Sequence, residues 1–305
     1  MLTEISMSIL DLVGNTPLLA LPHFSEKTPG VSLLAKAEFM NPSGSVKDRA
    51  AKAMVLDGIA QRALVRGKTI IDATSGNTGI AYAMIGAALG YDVVLYMPQN
   101  TSNERKQIIR HYGATIVETD PLEGSDGAYL AVRRQVEQDP ERYFYPDQYN
   151  NPVNPHMHFA TTGWEIWQQT QKRITHFITS MGTSGSFVGS ARRLKQENPH
   201  IQTLAVQPAS PLHGIEGTKH MASSIKPGIL DETLQDGVVT VTTEEAYAAT
   251  RHLANCEGIF AGISSGANVA AALKLAQTLP SGSVVVTLLC DTGSRYLADP
   301  FWNEN

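Results

Sequence analysis

Lys47 lies in Pro42-Ser43-Gly44-Ser45-Val46-Lys47-Asp48-Arg49, a run of small residues leading into a helix expected over 48–64. A lysine at a loop–helix junction can reach into a cleft. There the positive helix end and desolvation both disfavour the ammonium, and a neutral amine is a nucleophile or Schiff-base former. Taken alone, such a lysine is more often a solvated turn residue. A second segment, Thr74-Ser75-Gly76-Asn77-Thr78-Gly79, joins a strand to a helix. Its hydroxyls and N–H groups suit an anion such as a carboxylate, and equally an ordinary helix cap. A third, Gly182-Thr183-Ser184-Gly185-Ser186, has the same setting. Its glycines permit close approach and its N–H groups converge, which suits a phosphate. It is neither G-x-G-x-x-G nor G-x-x-x-x-G-K-[ST], so neither a dinucleotide nor a nucleoside triphosphate follows.

The fourth segment, Gly262-Ile263-Ser264-Ser265-Gly266, has the G-x-S-x-G form of a hydrolase nucleophile elbow. In those enzymes the histidine follows the serine. Here the last histidine is His252, so Ser264 has no base and reads as a helix cap or a hydroxyl aimed at a ligand. The nine histidines show no H-E-x-x-H or similar spacing, and no metal is expected. Tyr82 and Met84 read as core. Arg133-Arg134 and Arg192-Arg193 read as solvated helix faces.

The elements that must position these segments alternate. Strands are expected over 69–73, 93–96, 114–118, 174–179, 204–206 and 283–289. Helices are expected over 48–64, 79–89, 102–112, 187–196, 243–258 and 266–279. Gly90 and Gly258 are placed as helix stops, and Thr242 with Glu245 has capping-box spacing. Residues 145–162, rich in Asn, Pro and aromatics, read as one irregular stretch crossing between lobes. Such alternation implies an α/β fold with parallel sheets covered by helices.

At 305 residues the chain is long enough for two lobes, and 24 Lys+Arg against 29 Asp+Glu give a net charge of −5. That balance argues against nucleic acid or an anionic membrane as partner. No apolar run approaches the roughly 20 residues of a membrane span. Cys256 and Cys290 are too few for a disulfide framework or a thiolate metal cluster. The first residues lack the basic and apolar regions of a signal peptide, so a cytoplasmic protein is expected.

Taken in order, the four segments resemble the fold-type II enzymes that use pyridoxal 5'-phosphate (PLP). Within them the chain is similar to the O-acetylserine sulfhydrylases, or cysteine synthases, of the B type. The resemblance runs from Gly14-Asn15-Thr16-Pro17-Leu18 to Arg295-Tyr296-Leu297. The B-type features are Asp147-Gln148-Tyr149-Asn150-Asn151-Pro152, Trp164-Glu165-Ile166-Trp167-Gln168-Gln169 and Cys290-Asp291. It implies a tryptophan synthase β-like fold of two lobes, each a mainly parallel sheet flanked by helices. Residues 40–149 would form a smaller mobile lobe for the substrate carboxylate; 1–39 plus 150–305 would form a larger lobe for the PLP phosphate.

The same resemblance assigns roles. Lys47 would carry the cofactor and act as general base, and Asn77 would bond the ring hydroxyl. Gly182, Thr183, Ser184, Gly185 and Ser186 would hold the phosphate, and Ser264 would face the pyridine nitrogen. Thr74, Ser75, Thr78 and Gln148 would hold the substrate carboxylate. A neutral serine at the pyridine nitrogen gives a shallower electron sink than a carboxylate would, which favours β-replacement over transamination. The implied reaction makes L-cysteine from O-acetyl-L-serine and sulfide through an α-aminoacrylate intermediate. The implied assembly is a homodimer, and family members also contact serine acetyltransferase. Glu216 and Lys219 stand where thiosulfate-using relatives tend to carry arginines, which favours sulfide over thiosulfate. Homocysteine as nucleophile (cystathionine β-synthase-like chemistry), phosphate as leaving group and a catalytically silent PLP or amino-acid binder stay open. Lys47 and the intact segment 74–79 favour an enzyme.

Overall fold

The computed structural model describes residues 7–74 and 76–303, so Ser75 lies outside the described residues. The chain divides into two compact units, Met1–Gly14 with Asn41–Asn154, and Asn15–Met40 with Pro155–Asn305. The stretch ending at Gly14 therefore groups with the smaller unit, where the sequence reading assigned all of 1–39 to the larger lobe. Two bonds explain the correction. Lys52 Nζ donates to Leu10 O at 2.7 Å, and Gly14 N donates to Asn41 Oδ1 at 2.9 Å.

The strands are β1 (Leu18–Ala20), β2 (Ser32–Ala37), β3 (Thr69–Ala73), β4 (Val93–Pro98), β5 (Thr115–Thr119), β6 (Tyr143–Phe144), β7 (His176–Ser180), β8 (Gln202–Pro208), β9 (Gly237–Val241) and β10 (Val284–Leu289). The α-helices are α1 (Pro22–Ser25), α2 (Lys47–Ala60), α3 (Asn77–Leu89), α4 (Asn103–His111), α5 (Gly124–Gln138), α6 (Val153–Ala160), α7 (Thr162–Gln169), α8 (Gly185–Glu197), α9 (Thr243–Glu257) and α10 (Ile263–Ala276). In the smaller unit the sheet order is β5-β4-β3-β6, parallel throughout. In the larger unit it is β1-β2-β10-β7-β8-β9, parallel except for the antiparallel β1–β2 edge. The α/β fold is thus as its residues imply. Among the described residues, no helix is long and apolar enough to cross a membrane.

The composition of the strands follows from their place. β10 pairs with β2 on one side and β7 on the other, and its Val and Leu residues are almost all buried, as a strand covered by helices on both faces requires. β3 is buried along its whole length, including Asp72. Helix stops also appear where expected. Gly90 and Gly258 take left-handed conformations after α3 and α9, and Thr242 and Glu245 form a reciprocal capping box.

Two readings need correction. Residues 145–162 are not one irregular stretch, because α6 and the start of α7 lie within them. Asn151 Oδ1 accepts from Val153 N at 2.9 Å, and Pro155 sits in the first turn, where a missing N–H costs nothing. Arg193 is not a solvated residue. Its guanidinium lies 4.4 Å from the Trp164 ring centroid, and its Nε is 3.0 Å from Glu197 Oε1.

Candidate functional site

In the smaller unit β3 ends at Ala73 and the chain turns into α3. Thr74 closes this turn from within. Its buried Oγ1 accepts the N–H groups of Gly76 and Gly79, each at 3.0 Å. Gly76 has φ +145°, and a Cβ there would meet Arg105 Cδ at 2.5 Å, so the turn admits only glycine. Thr78, in the first turn of α3, donates to Gln148 Oε1 at 2.9 Å. Gln148 Nε2 donates in turn to Ala73 O at 2.8 Å, and Asn154 Nδ2 holds Gln148 O at 2.8 Å. A residue 70 positions away is thereby clamped across the strand-to-helix turn. Asn77 is the first residue of the same helix. Thr74, Thr78 and Gln148 thus come together at a helix N-terminus, where a carboxylate gains from the dipole and from hydroxyl and amide donors.

Lys47 opens α2 and is half-buried; its N–H donates to Ser45 Oγ at 3.3 Å. The turn before it is braced by Asp48, fully buried, which accepts the Ser43 N–H at 2.6 Å and the Ser43 hydroxyl. Another lysine, Lys36 on β2, is buried more deeply, but its ammonium is 2.6 Å from Glu165 Oε2 and 3.0 Å from Gln169 Oε1. Such pairing holds the charge in place and makes Lys36 a structural residue.

In the larger unit β7 ends at Ser180 and leads to α8. Ser184 caps that helix in a left-handed conformation, φ 69°, unusual for a residue with a side chain. Its Oγ is buried and makes no hydrogen bond. A Cβ at Gly182 would stand 2.4 Å from Gly217 O, so the loop lies tight against the segment that follows Ile215. Lys219 N donates to Met181 O at 2.8 Å across the same contact. A buried hydroxyl without a partner, a left-handed cap residue and the start of a 13-residue helix fit a phosphate group.

Ser264 is the second residue of α10 and is buried. The helix is held to the sheet by a residue that sequence reasoning missed. Asn268, one turn further on, accepts Ser180 N at 2.7 Å and donates to Leu288 O at 2.9 Å and Thr179 Oγ1 at 3.2 Å. It thereby ties the end of β7, which runs into the loop 182–186, to the end of β10. The available signal was a single amide within the apolar run of α10. Ser265 Oγ accepts the Cys290 N–H at 2.9 Å and extends the same tie.

Residues 9–291 match the family of pyridoxal-phosphate dependent enzymes. A cysteine synthase of Aquifex aeolicus is 53% identical over 97% of this chain and 92% of its own length. The cysteine synthase B of Salmonella typhimurium is 41% identical, over 96% of this chain and 95% of its own. Among solved structures, a cysteine synthase from Entamoeba histolytica superposes with a TM-score of 0.93 at 33% identity, covering 100% of this chain and 93% of that one.

Proposed function

The chain belongs to the family of pyridoxal-phosphate dependent enzymes, and from that premise we propose that it makes L-cysteine from O-acetyl-L-serine and sulfide. The observation that carries the reading is a pair of anion-ready helix starts in a chain of this family. One, at α8, suits a phosphate; the other, at α3, suits a carboxylate. PLP, when bound, supplies an electron sink that lets the substrate lose its α-proton and its β-substituent.

The chain's own residues divide the remaining work. Residues 182–186 and the helix behind them hold the cofactor phosphate, with Ser184 Oγ as a preformed donor. Asn77 bonds the ring hydroxyl, and Ser264 offers a neutral hydroxyl to the pyridine nitrogen. Thr74, Thr78 and Gln148 hold the substrate carboxylate, with Ser75 assigned to the same set. Lys47 Nζ would hold the cofactor covalently and, when not so engaged, would serve as the base for the α-proton of the substrate. In the net change sulfide replaces acetate at the β-carbon, and the proton taken by Lys47 returns to the α-carbon before cysteine departs. In this reading the protein works in the cytoplasm as a homodimer, which light scattering of the purified protein checks.

The test is the rate of cysteine formation with O-acetylserine and sulfide, set against thiosulfate and homocysteine as nucleophiles. Sulfide is expected to be the fastest of the three. Lys47→Ala is expected to lower turnover at least about a thousandfold, since it removes both the attachment and the base. Ordinary turnover in that variant, or no cysteine from the parent protein, contradicts the proposal.

A further inference from the structure

The two central strands of the larger sheet diverge before their ends. β10 pairs with β2 along its whole length, from Val284–Ser32 to Leu289–Ala37. Against β7 it pairs at only two positions, Val285 with His176 and Val286 with Phe177. Both strands run on, β7 to Ser180 and β10 to Leu289. The chain leaves β7 for β8 through α8, and reaches β10 from β9 through α9 and α10. α8 packs on one face of the sheet with Phe177, Val286 and Leu288, and α10 on the other with Ile178, Val285 and Leu289. A split at the carboxyl ends of parallel strands, where the connections run in opposite directions, is where open α/β sheets hold their ligands. The loop 182–186 follows β7, and Ser264 lies in the first turn of α10. The two ends of the proposed cofactor site thus belong to the two sides of the split.

Diverging strands leave facing backbone groups without ladder partners, and buried ones must find others. Thr287 Oγ1 serves the first of them, donating to Ile178 O at 2.7 Å. Beyond it the bridge is Asn268, which is fully buried. Its Oδ1 accepts the N–H of Ser180, the last residue of β7, at 2.7 Å. Its Nδ2 donates to Leu288 O at 2.9 Å and is 3.2 Å from Thr179 Oγ1 and 3.3 Å from Cys290 Sγ. One side-chain amide therefore supplies both the donor and the acceptor that a further strand pair would have supplied. The match is directional, since Leu288 O needs a donor and Ser180 N needs an acceptor. Neither an aspartate nor a leucine offers both.

We propose that Asn268 is a positioning residue for the cofactor: by bridging the split it sets the spacing between the phosphate loop 182–186 and Ser264 before PLP arrives. The inference rests on the reading of residues 182–186 and Ser264 as PLP contacts. Ser180 stands two residues before Gly182, and Asn268 one turn after Ser264, so short stretches of chain join both contacts to one rigid group. Such a residue shapes how the cofactor is seated, which a residue that only stabilises the fold would not do.

The experiment compares the parent protein with Asn268→Ala and with Thr287→Val, which removes the neighbouring bridge but leaves the amide in place. Three quantities are read: unfolding without cofactor, the PLP dissociation constant, and the visible circular dichroism per bound PLP, which reports how the ring is seated. Both variants are expected to unfold earlier than the parent. Only Asn268→Ala is expected to weaken PLP binding, by about ten- to a hundredfold for a buried donor and acceptor left unpaired, and to change the dichroism of the PLP that stays bound. Unchanged affinity and dichroism in Asn268→Ala, or equal changes in Thr287→Val, overturn the proposal. None of these readings needs cysteine to form. A parent protein that binds no PLP overturns the functional reading as well, whereas a parent that binds PLP beside an unaffected Asn268→Ala overturns this inference alone. Should Asn268→Ala not fold, hydrogen exchange of the Ser180 amide in the parent protein decides. Slow exchange both with and without PLP is expected; protection that appears only with PLP overturns the proposal.

Discussion

Two strand-to-helix loops of this protein, 74–79 and 182–186, start from similar residues and reach opposite solutions. Residues 74–79 and 182–186 are both rich in Gly, Ser and Thr, with Asn77 the one other residue, and each follows the C-terminal end of a parallel strand. The first is satisfied from within. Thr74 Oγ1 takes two backbone N–H groups, and Thr78 and Gln148 hold each other. The second is left open, with Ser184 in a strained backbone region and its buried hydroxyl unmatched. A site for a resident group can keep donors waiting, because that group fills it for the life of the enzyme. A site that fills and empties at each turnover needs side chains that satisfy one another in between. On the proposed function, the cost of an unmatched buried hydroxyl falls where occupancy is permanent.

Several substitutions would break or sharpen this contrast. The largest effect is expected from Thr74→Val, which keeps the shape but leaves the N–H groups of Gly76 and Gly79 without an acceptor. Urea unfolding should show a loss of roughly 2–6 kcal/mol, at about 1–3 kcal/mol for each of the two buried groups left unpaired. Gly182→Ala comes next. Its Cβ would press on the backbone at Gly217, and overpacking of about 1–3 kcal/mol should weaken PLP binding by about ten- to a hundredfold in a cofactor titration. Ser184→Ala gives the smallest effect and the most telling sign. Without cofactor the variant should unfold about 1 kcal/mol later than its parent, because an orphaned hydroxyl is gone, while PLP affinity falls about tenfold. A loss of stability without cofactor would show that Ser184 is not held open for a ligand.

Much of this was legible in the residues. β10 is an apolar run bounded by Ser283 and Cys290, and Thr242, Glu245 and Gly258 delimit α9 by capping chemistry that needs no tertiary partner. What could not be read depended on distant neighbours. Residues 153–160 carry Asn, Pro and two His, poor helix formers, and the helix depends on the Asn151 cap and on packing. Arg193 looks solvated until Trp164 is folded against it. The site residues themselves stood out because glycines and hydroxyls are dense around them. Asn268 did not, since it is the one amide in a largely apolar helix and its importance lies in what surrounds it. The grouping of the stretch ending at Gly14 with the smaller unit likewise turns on two bonds, from Lys52 and to Asn41, that no local pattern announces.

The central claim, that this chain makes cysteine by replacing the acetoxy group of O-acetylserine with sulfide, is tested most directly by the visible absorption of the PLP-loaded protein. The cofactor band is expected to change when O-acetylserine is added and to return when sulfide follows, with one cysteine released per site. A band that ignores O-acetylserine, or that changes and is not restored by sulfide, would contradict the account.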